Sequence, residues 1–270
     1  MASQTSNFCR KPLVISSEYV TDECKDHGSY MRRDVEQFDG SYLRGGCPKC
    51  RWDDLNRKPE DSDQYKASAA AKQTELVNAL LIGSGITPRF RDCTLDTYLA
   101  AGEQAKERAL VECRQYVEQF DENFQAGRCL ILTGNVGTGK THLASGMSQA
   151  IIRQYGASAL IVTAATIVRT AKETMIKGAQ FTERDVIDEL ANVDFLVIDE
   201  VGAQRGTEYE LALMHEVIDK RYQLVVPTVL ISNERADNLK TFIGQRAVDR
   251  LRENGGHAVG FTWASARGRA

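Results

Sequence analysis

One eight-residue stretch restricts the possible folds of this chain more than any other. It fits the pattern of Gly, four residues, Gly, Lys and then Ser or Thr, and it reads Gly134-Asn135-Val136-Gly137-Thr138-Gly139-Lys140-Thr141. A short apolar run precedes it at 128–133, and a helix-compatible stretch follows it at 142–155. Between a strand and a helix, such a loop binds phosphate through its backbone N–H groups and the positive end of the helix.

This stretch predicts a nucleotide site for ATP and Mg²⁺. We expect Lys140 to reach the β- and γ-phosphates and the Thr141 hydroxyl to bind Mg²⁺. The alternative is a chance glycine-rich turn without a ligand. The predicted strand and helix on its two sides favour the phosphate loop.

A second stretch, which ends in two acidic residues, completes the predicted site. Four apolar residues, Phe195–Ile198, are followed by Asp199 and Glu200. Such a run indicates a strand buried on both faces, with its carboxylates at the edge where parallel sheets bind ligands. We expect Asp199 to bind Mg²⁺, directly or through water, and Glu200 to act as the base that polarises the attacking water. The alternative is a strand that ends in solvated acids.

Composition narrows the class of protein. A chain of 270 residues that is 42% hydrophobic and 26% charged can hold one α/β domain and a small additional domain. No run is long enough to span a bilayer, and the first residues lack a secretory signal, so a cytoplasmic protein without membrane association is predicted. The net charge of −3 is not that of a generally cationic nucleic-acid binder, although basic residues concentrate in 240–270.

Two residue pairs near the start of the chain have the spacing of metal ligands. They are Cys24 with His27, and Cys47 with Cys50. Four such ligands suit a closed tetrahedral Zn²⁺ site, which would be structural and would fold the segment as a zinc ribbon. The alternative is two free pairs on a flexible arm. Cys9 fits poorly as a ligand.

The surroundings of the second pair leave the role of the ribbon open. Arg44, Lys49, Arg51 and Trp52 are compatible with nucleic-acid contact, but a solvated basic rim is an equal alternative. A surface that docks a protein partner is the third possible role of the ribbon.

After the ribbon, the composition of the chain changes to Ala, Gln, Lys and Glu. The expected organisation is therefore a zinc-ribbon-like domain at 1–60, a linker helix at 61–83 and an ATPase domain at 84–270.

The last of these segments alternates between strand and helix patterns. Strands are predicted at 128–133, 159–163, 194–198 and 227–233, with helices at 104–120, 142–155, 164–177, from 183 and at 208–222. Residues 86–90 and 94–98 are positioned to form an adenine pocket. The alternation predicts an α/β fold with a three-layer parallel sheet.

Four segments together carry a family resemblance. The phosphate loop, Asp199-Glu200, Ser232-Asn233 and the stretch 244–251 occur in the order and spacing of AAA+ ATPases of the initiator and loader branch. The sequence resembles the DnaC-type replicative helicase loaders, and most of all the prophage-type forms with an N-terminal zinc ribbon. The resemblance implies a P-loop AAA+ core that self-associates, binds a hexameric replicative helicase and contacts single-stranded DNA.

The resemblance also implies roles for four further residues. Asn233 matches the sensor 1 position, which orients water beside the γ-phosphate. Arg250 matches the arginine finger that acts on a neighbour's nucleotide, and Arg246, one turn earlier, is a second candidate. Arg267 resembles the sensor 2 arginine, although no full helical lid domain follows the sheet. A basic surface helix is the alternative for the two finger candidates.

Two other functions compete with helicase loading. An IstB-type transposition ATPase that selects target DNA has a closely related core, and a metabolic phosphotransferase is the third possibility. The zinc ribbon and the arginines that act in trans argue against the third.

Overall fold

The computed structural model describes residues 19–57, 63–100 and 102–266. The chain divides into two compact units, one formed by Lys11–Gly83 and the other containing Ser84–Ala270. Each unit has its own packing and is described by itself. Within the described residues, no helix combines the length and the hydropathy that crossing a bilayer requires.

The first unit consists of two short hairpins followed by two helices. Strands β1 (Val20–Cys24) and β2 (Gly28–Arg32) pair antiparallel, with Cys24 opposite Gly28. Gly28 has a φ of +71°, which suits the tight turn between them. Strands β3 (Val35–Glu36) and β4 (Tyr42–Leu43) also pair antiparallel. Helices α1 (Pro48–Arg57) and α2 (Asp63–Gly83) complete the unit.

Helix α2 lies within the segment 61–83, for which the sequence pattern predicted a linker helix, and it packs within this unit. The Asn78 side chain accepts a hydrogen bond from Phe38 N at 2.8 Å and donates one to Glu36 O at 3.2 Å. Phe38 and Asn78 are both buried. Arg51 on α1 forms an ion pair of 2.6 Å with Glu75 on α2. The helix belongs to the N-terminal unit, and the buried Asn78 side chain bonds it to the segment of the hairpins.

The second unit is built on a five-stranded parallel sheet. Its strands are β5 (Leu130–Gly134), β6 (Ala159–Thr163), β7 (Phe195–Val201), β8 (Thr228–Ser232) and β9 (His257–Phe261). They lie in the order β6-β7-β8-β5-β9, and every neighbouring pair is parallel. The central strands are buried on both faces, which explains their near-continuous apolar sequences.

Helices cover both faces of this sheet. On one face, Phe195 contacts the aromatic rings of Tyr116 and Phe120, which come from the helices before β5. On the other face, Ile131 and Ile198 pack into a cluster with the helices that follow β6. The helices are α3 (Gln104–Glu118), α4 (Phe120–Gln125), α5 (Lys140–Tyr155), α6 (Ala164–Glu173), α7 (Glu183–Asn192), α8 (Glu208–Gln223), α9 (Lys240–Ile243) and α10 (Gln245–Arg252), with 3-10 turns at Pro88–Phe90, Ala236–Asn238 and Glu253–Gly255. This arrangement confirms the predicted three-layer α/β fold.

The structure differs from the predicted elements in three places. Strand β7 continues through Asp199 to Val201 after an irregularity in its pairing, and α6 ends at Glu173 instead of 177. Strand β9 was not predicted. Its sequence is short and contains a glycine, and only Val259 and Phe261 are buried. Such a strand has too few apolar residues to be recognised from its pattern, and its place beside β5 depends on non-local pairing.

Candidate functional site

The loop between β5 and α5 takes the shape that its glycines permit. Gly134, Gly137 and Gly139 all have positive φ values, of 132°, 74° and 94°. Gly139 is the N-cap of α5, so the helix begins at Lys140 and its positive end faces the loop. The loop residues Val136–Thr141 line a cavity of about 200 Å³. Six of the eight residues of the predicted loop therefore border one cavity, and Gly134 and Asn135 are not among its lining residues.

Lys140 is buried at the base of this loop. Its Nζ donates hydrogen bonds to Gly134 O at 2.8 Å and to Asn135 O at 2.7 Å. Burial lowers the pKa of Lys140, and the negative charge of Asp199 opposes that shift. The ammonium is thus held inside the cavity by the loop's own carbonyl groups.

Asp199 lies next to Thr141 at the carboxyl end of β7. Its Oδ2 accepts a hydrogen bond from Thr141 Oγ1 at 2.8 Å, and its Oδ1 accepts one from Glu200 N at 2.7 Å. Burial is the main cause that raises the pKa of Asp199. An oxygen pair of one hydroxyl and one carboxylate suits Mg²⁺, which prefers oxygen ligands and is bound through few protein groups. The residues present therefore fit a magnesium ion.

Two polar residues border the cavity from the neighbouring strand ends. Glu200 is exposed and has a φ of 56°, which is unusual for a residue other than glycine. Asn233 follows β8 and is also exposed. Glu200 and Asn233 both line the cavity, as do Arg89 and Phe90 from the segment that the sequence pattern assigned to an adenine pocket.

Contacts that sequence reasoning missed hold the loop from outside. Tyr98 Oη and Trp263 Nε1 both donate to Thr138 O, at 3.0 and 3.1 Å. The Asn135 side chain donates to Thr262 O and Trp263 O, at 3.0 and 3.1 Å. Trp263 follows β9, so no sequence pattern near the phosphate loop indicates these contacts.

The two arginines predicted as fingers lie on α10, and neither is among the residues that line the cavity. Arg246 is exposed. Arg250 forms an ion pair with Asp219, and its guanidinium carbon lies 5.2 Å from the centre of the Tyr222 ring. Arg267 lies outside the described residues, as does Cys9.

The four predicted zinc ligands come together in the first unit. The ligand atoms of Cys24, His27, Cys47 and Cys50 all lie within 4.8 Å of one another. The closest pairs are His27 Nδ1 to Cys50 Sγ at 3.2 Å and Cys24 Sγ to Cys50 Sγ at 3.3 Å. Tetrahedral bonds of about 2.0 to 2.3 Å require ligand atoms roughly 3.5 Å apart. The residues therefore fit one zinc ion.

The two ligand pairs come from different local structures. Cys24 and His27 flank the β1–β2 turn, whereas Cys50 lies inside α1, which begins directly after Cys47. His27 presents Nδ1 to the sulfur atoms, and its Nε2 lies 3.2 Å from Asp53 Oδ2. A carboxylate on the far nitrogen is the usual support of a metal-binding histidine.

Hydrogen bonds already prepare one of the thiols for a metal. The backbone N–H of Asp26 is the main cause that lowers the pKa of Cys24 to about 6, and the adjacent Cys24 raises the pKa of Cys50 to about 12. Metals bind the thiolate form, so the lowered pKa of Cys24 favours metal binding. Of the basic residues near the second pair, Arg44 and Arg51 form ion pairs with Asp22 and Glu75.

The chain resembles known proteins in both sequence and fold. The family of IstB-like ATP binding proteins matches residues 105–250. The replicative helicase loader DnaC of Escherichia coli strain K12 is 35% identical over 186 residues, which cover 69% of this chain and 74% of the relative. The crystal structure of the DnaC helicase loader has a TM-score of 0.58 at 24% identity, covering 65% of this chain and 99% of that one. DnaI has a TM-score of 0.56 at 19% identity, covering 66% and 96%.

Proposed function

Because this chain belongs to the DnaC-type family of AAA+ ATPases, whose core is that of the IstB-like ATP-binding proteins, we propose that it uses ATP to load a replicative helicase onto single-stranded DNA. The observation that carries the proposal is sequence identity to the helicase loader DnaC over more than two thirds of the chain. The nucleotide site supports it, since the loop, Asp199, Glu200 and Asn233 surround one cavity.

Lys140, Thr141 and Asp199 would bind the phosphates of ATP and its Mg²⁺. When ATP enters, Lys140 would exchange the carbonyl groups of Gly134 and Asn135 for the β- and γ-phosphate oxygens. Thr141 and Asp199 already share a hydrogen bond at the position where both could bind the metal. Bound Mg²⁺ supplies positive charge that offsets the charge of the phosphates.

Glu200 and Asn233 would act on the attacking water. Glu200 is exposed at the cavity, so its carboxylate is accessible to a water molecule and can accept a proton from it. Asn233 is exposed on the adjacent strand end and would orient the same water. We infer a hydrolytic ATPase, with Glu200 as the base.

An arginine from a second subunit would complete the site. We propose Arg250 as the finger that acts on a neighbour's γ-phosphate, with Arg246 as the second candidate. Action in trans implies self-association, and neither arginine lines the cavity of its own chain. Arg246 is exposed and ready for such a contact, whereas Arg250 would first leave Asp219 and Tyr222. Arg267 is the proposed sensor 2 residue.

We further infer that the first unit binds Zn²⁺ and serves as the docking module for the helicase. Four protein ligands close the metal site, so the ion would be structural. The ion pairs of Arg44 and Arg51 lower the number of free cations there, which favours a protein partner over nucleic acid.

Co-purification with a hexameric replicative helicase, with and without ATP, tests the loader function. We expect the wild type to retain the helicase and Lys140→Ala to have lost tight ATP binding. Lys240→Ala, at an exposed lysine, is the matched control and should bind ATP normally. Glu200→Gln should bind ATP and hydrolyse it poorly. A chain that binds ATP but retains no helicase would refute helicase loading.

The match to the IstB-like family supports one alternative, a transposition ATPase that selects target DNA. The same experiment separates the two functions when a transposase is offered beside the helicase. Retention of the transposase alone would favour the alternative.

A further inference from the structure

Two segments that lie far apart in the sequence donate hydrogen bonds to the phosphate loop from outside it. Tyr98 belongs to the segment before α3, and Trp263 follows β9. Both side chains are buried, at 9% and 8% exposed, and both donate to the same acceptor, Thr138 O. A backbone carbonyl oxygen has two lone pairs, so these two donors fill both acceptor positions of Thr138 O.

The Tyr98 ring also packs directly against the loop. A Cβ atom on Gly139 would lie 2.5 Å from Tyr98 Cε2, so the ring occupies space that only glycine leaves open. The His142 ring meets the Tyr98 ring edge-on, with centres 5.4 Å apart, and His142 Nε2 lies 2.9 Å from Thr94 O. The phenol is therefore held in one orientation by contacts on both of its sides.

The preceding peptide unit of the loop, between Gly137 and Thr138, is held in the same way. Ala266 N donates to Gly137 O at 2.9 Å, so the segment after β9 fixes this carbonyl as well. Asn135 secures that segment in return, through its bonds to Thr262 O and Trp263 O. Two successive carbonyls of the loop, those of Gly137 and Thr138, thus accept bonds from outside the loop.

Fixing a carbonyl also fixes the N–H group of the same peptide unit. The peptide is planar and trans, so the N–H of Gly139 points opposite to Thr138 O, and the N–H of Thr138 points opposite to Gly137 O. Phosphate binding by such a loop depends on successive N–H groups that point inward. A glycine-rich loop without external support would lose this order because its peptide units can rotate.

We propose that Tyr98 and Trp263 are positioning residues for phosphate binding, which orient the N–H groups of the loop by holding the Thr138 carbonyl. The inference rests on the nucleotide site of the proposed function, but it does not depend on helicase loading. Since both donors share one acceptor, each can partly replace the other. Loss of both is therefore expected to cost more than the two single losses combined.

Nucleotide affinity and steady-state kinetics of four variants test this proposal. They are Tyr98→Phe, Trp263→Phe, the double variant and Tyr155→Phe. The last is the matched control, because Tyr155 Oη also donates to backbone carbonyls, of Val117 and Glu118, but does so away from the loop. Tyr98→Phe keeps the ring against Gly139 and removes only the hydroxyl.

We expect each single variant at the loop to bind ATP and ADP about three- to tenfold more weakly, the effect of one hydrogen bond. The double variant should lose about a hundredfold or more. The KM for ATP should rise while kcat at saturating ATP changes less than about twofold, since no atom that reacts is touched. Tyr155→Phe should lower stability in urea without changing nucleotide affinity.

Unchanged affinity in both single variants and in the double variant would overturn the proposal, and so would a wild type that binds no ATP. If Trp263→Phe does not fold, Tyr98→Phe alone decides the outcome. A wild type that binds ATP but retains no helicase would refute helicase loading and leave this inference standing.

Discussion

Gly134→Ala should destabilise the second unit strongly, because the backbone of β9 occupies the space of the missing side chain. Gly134 pairs with Phe261, and a Cβ atom on it would lie 2.7 Å from Phe261 C, 2.8 Å from Phe261 N and nearer still to Phe261 O. These atoms belong to a backbone and cannot rotate away. Strand β9 would have to retreat from β5 until ordinary contact at 3.4 Å is reached.

The size of the effect follows from two contributions. An alanine at the φ of +132° found here, a backbone conformation that residues other than glycine rarely adopt, costs about 1 to 3 kcal/mol. Retreat of β9 breaks the bond from Asn135 N to Phe261 O, of 2.8 Å, and weakens its neighbours, at about 1 kcal/mol each. We expect a total loss of about 3 to 5 kcal/mol in the free energy of unfolding, together with weaker ATP binding.

Gly206→Ala is the matched control, since Gly206 has a φ of +72° and nothing lies within 4 Å of the position that a Cβ atom would occupy there. It should lose only the backbone contribution, about 1 to 2 kcal/mol, and keep its ATP affinity. Urea denaturation with and without ATP measures both quantities. If Gly134→Ala loses no more stability than Gly206→Ala, the close packing of β9 against the phosphate loop is refuted.

Three further predictions concern buried charge and the metal site. Burial raises the pKa of Asp199 above 3.8, so the ionised carboxylate destabilises the folded state once the pH rises through the range between the unfolded and folded pKa. Without nucleotide, the free energy of unfolding of Asp199→Asn in urea at pH 7 should match or exceed that of the wild type. This gain in stability should shrink toward about pH 4. Arg221 is fully buried and donates to Thr228 Oγ1 and to four backbone carbonyls. Because Arg221→Met leaves these buried acceptors without a donor, we expect it to lose about 3 to 5 kcal/mol in the free energy of unfolding in urea. The exposed Arg252→Met should lose less than about 0.5 kcal/mol, and equal losses would mean that Arg221 does not stabilise the fold through these bonds. Asp53→Ala should weaken zinc binding about 10- to 100-fold in competition with a chromogenic chelator, and unchanged affinity would mean that Asp53 does not support His27.

The geometry of the candidate nucleotide site was predictable because its residues are close together in the sequence or follow recognisable strands. The loop from Gly134 to Thr141 forms one turn whose glycines need positive φ, and this requirement is visible in the residue types. Asp199 follows a run that is apolar because both of its faces are buried. The spacing of Cys24 with His27 and of Cys47 with Cys50 likewise indicated that four ligand atoms could surround one ion, and these atoms lie within 4.8 Å of one another.

The partners of several side chains were not predictable. Nothing near Arg250 in the sequence indicates its ion pair with Asp219, which lies on a different helix. The pattern of α2 predicted a helix, but it did not predict the hydrogen bond between Asn78 and Phe38 in the first unit. These contacts depend on how elements pack, and packing involves residues that are distant in the chain.

The sequence by itself determined four of the five strands of the central sheet, the helices between them, the turn that the glycine-rich loop forms and which residues could hold a metal. These properties arise from residue types and from neighbours within a few positions. Only the tertiary structure decided that β9 pairs with β5, that Tyr98 and Trp263 meet at Thr138, and that the arginines of α10 do not line the nucleotide cavity of their own chain. Residues 98 and 263 become neighbours only when the sheet forms, because the free energy of burying the whole core, and no local preference, holds them together.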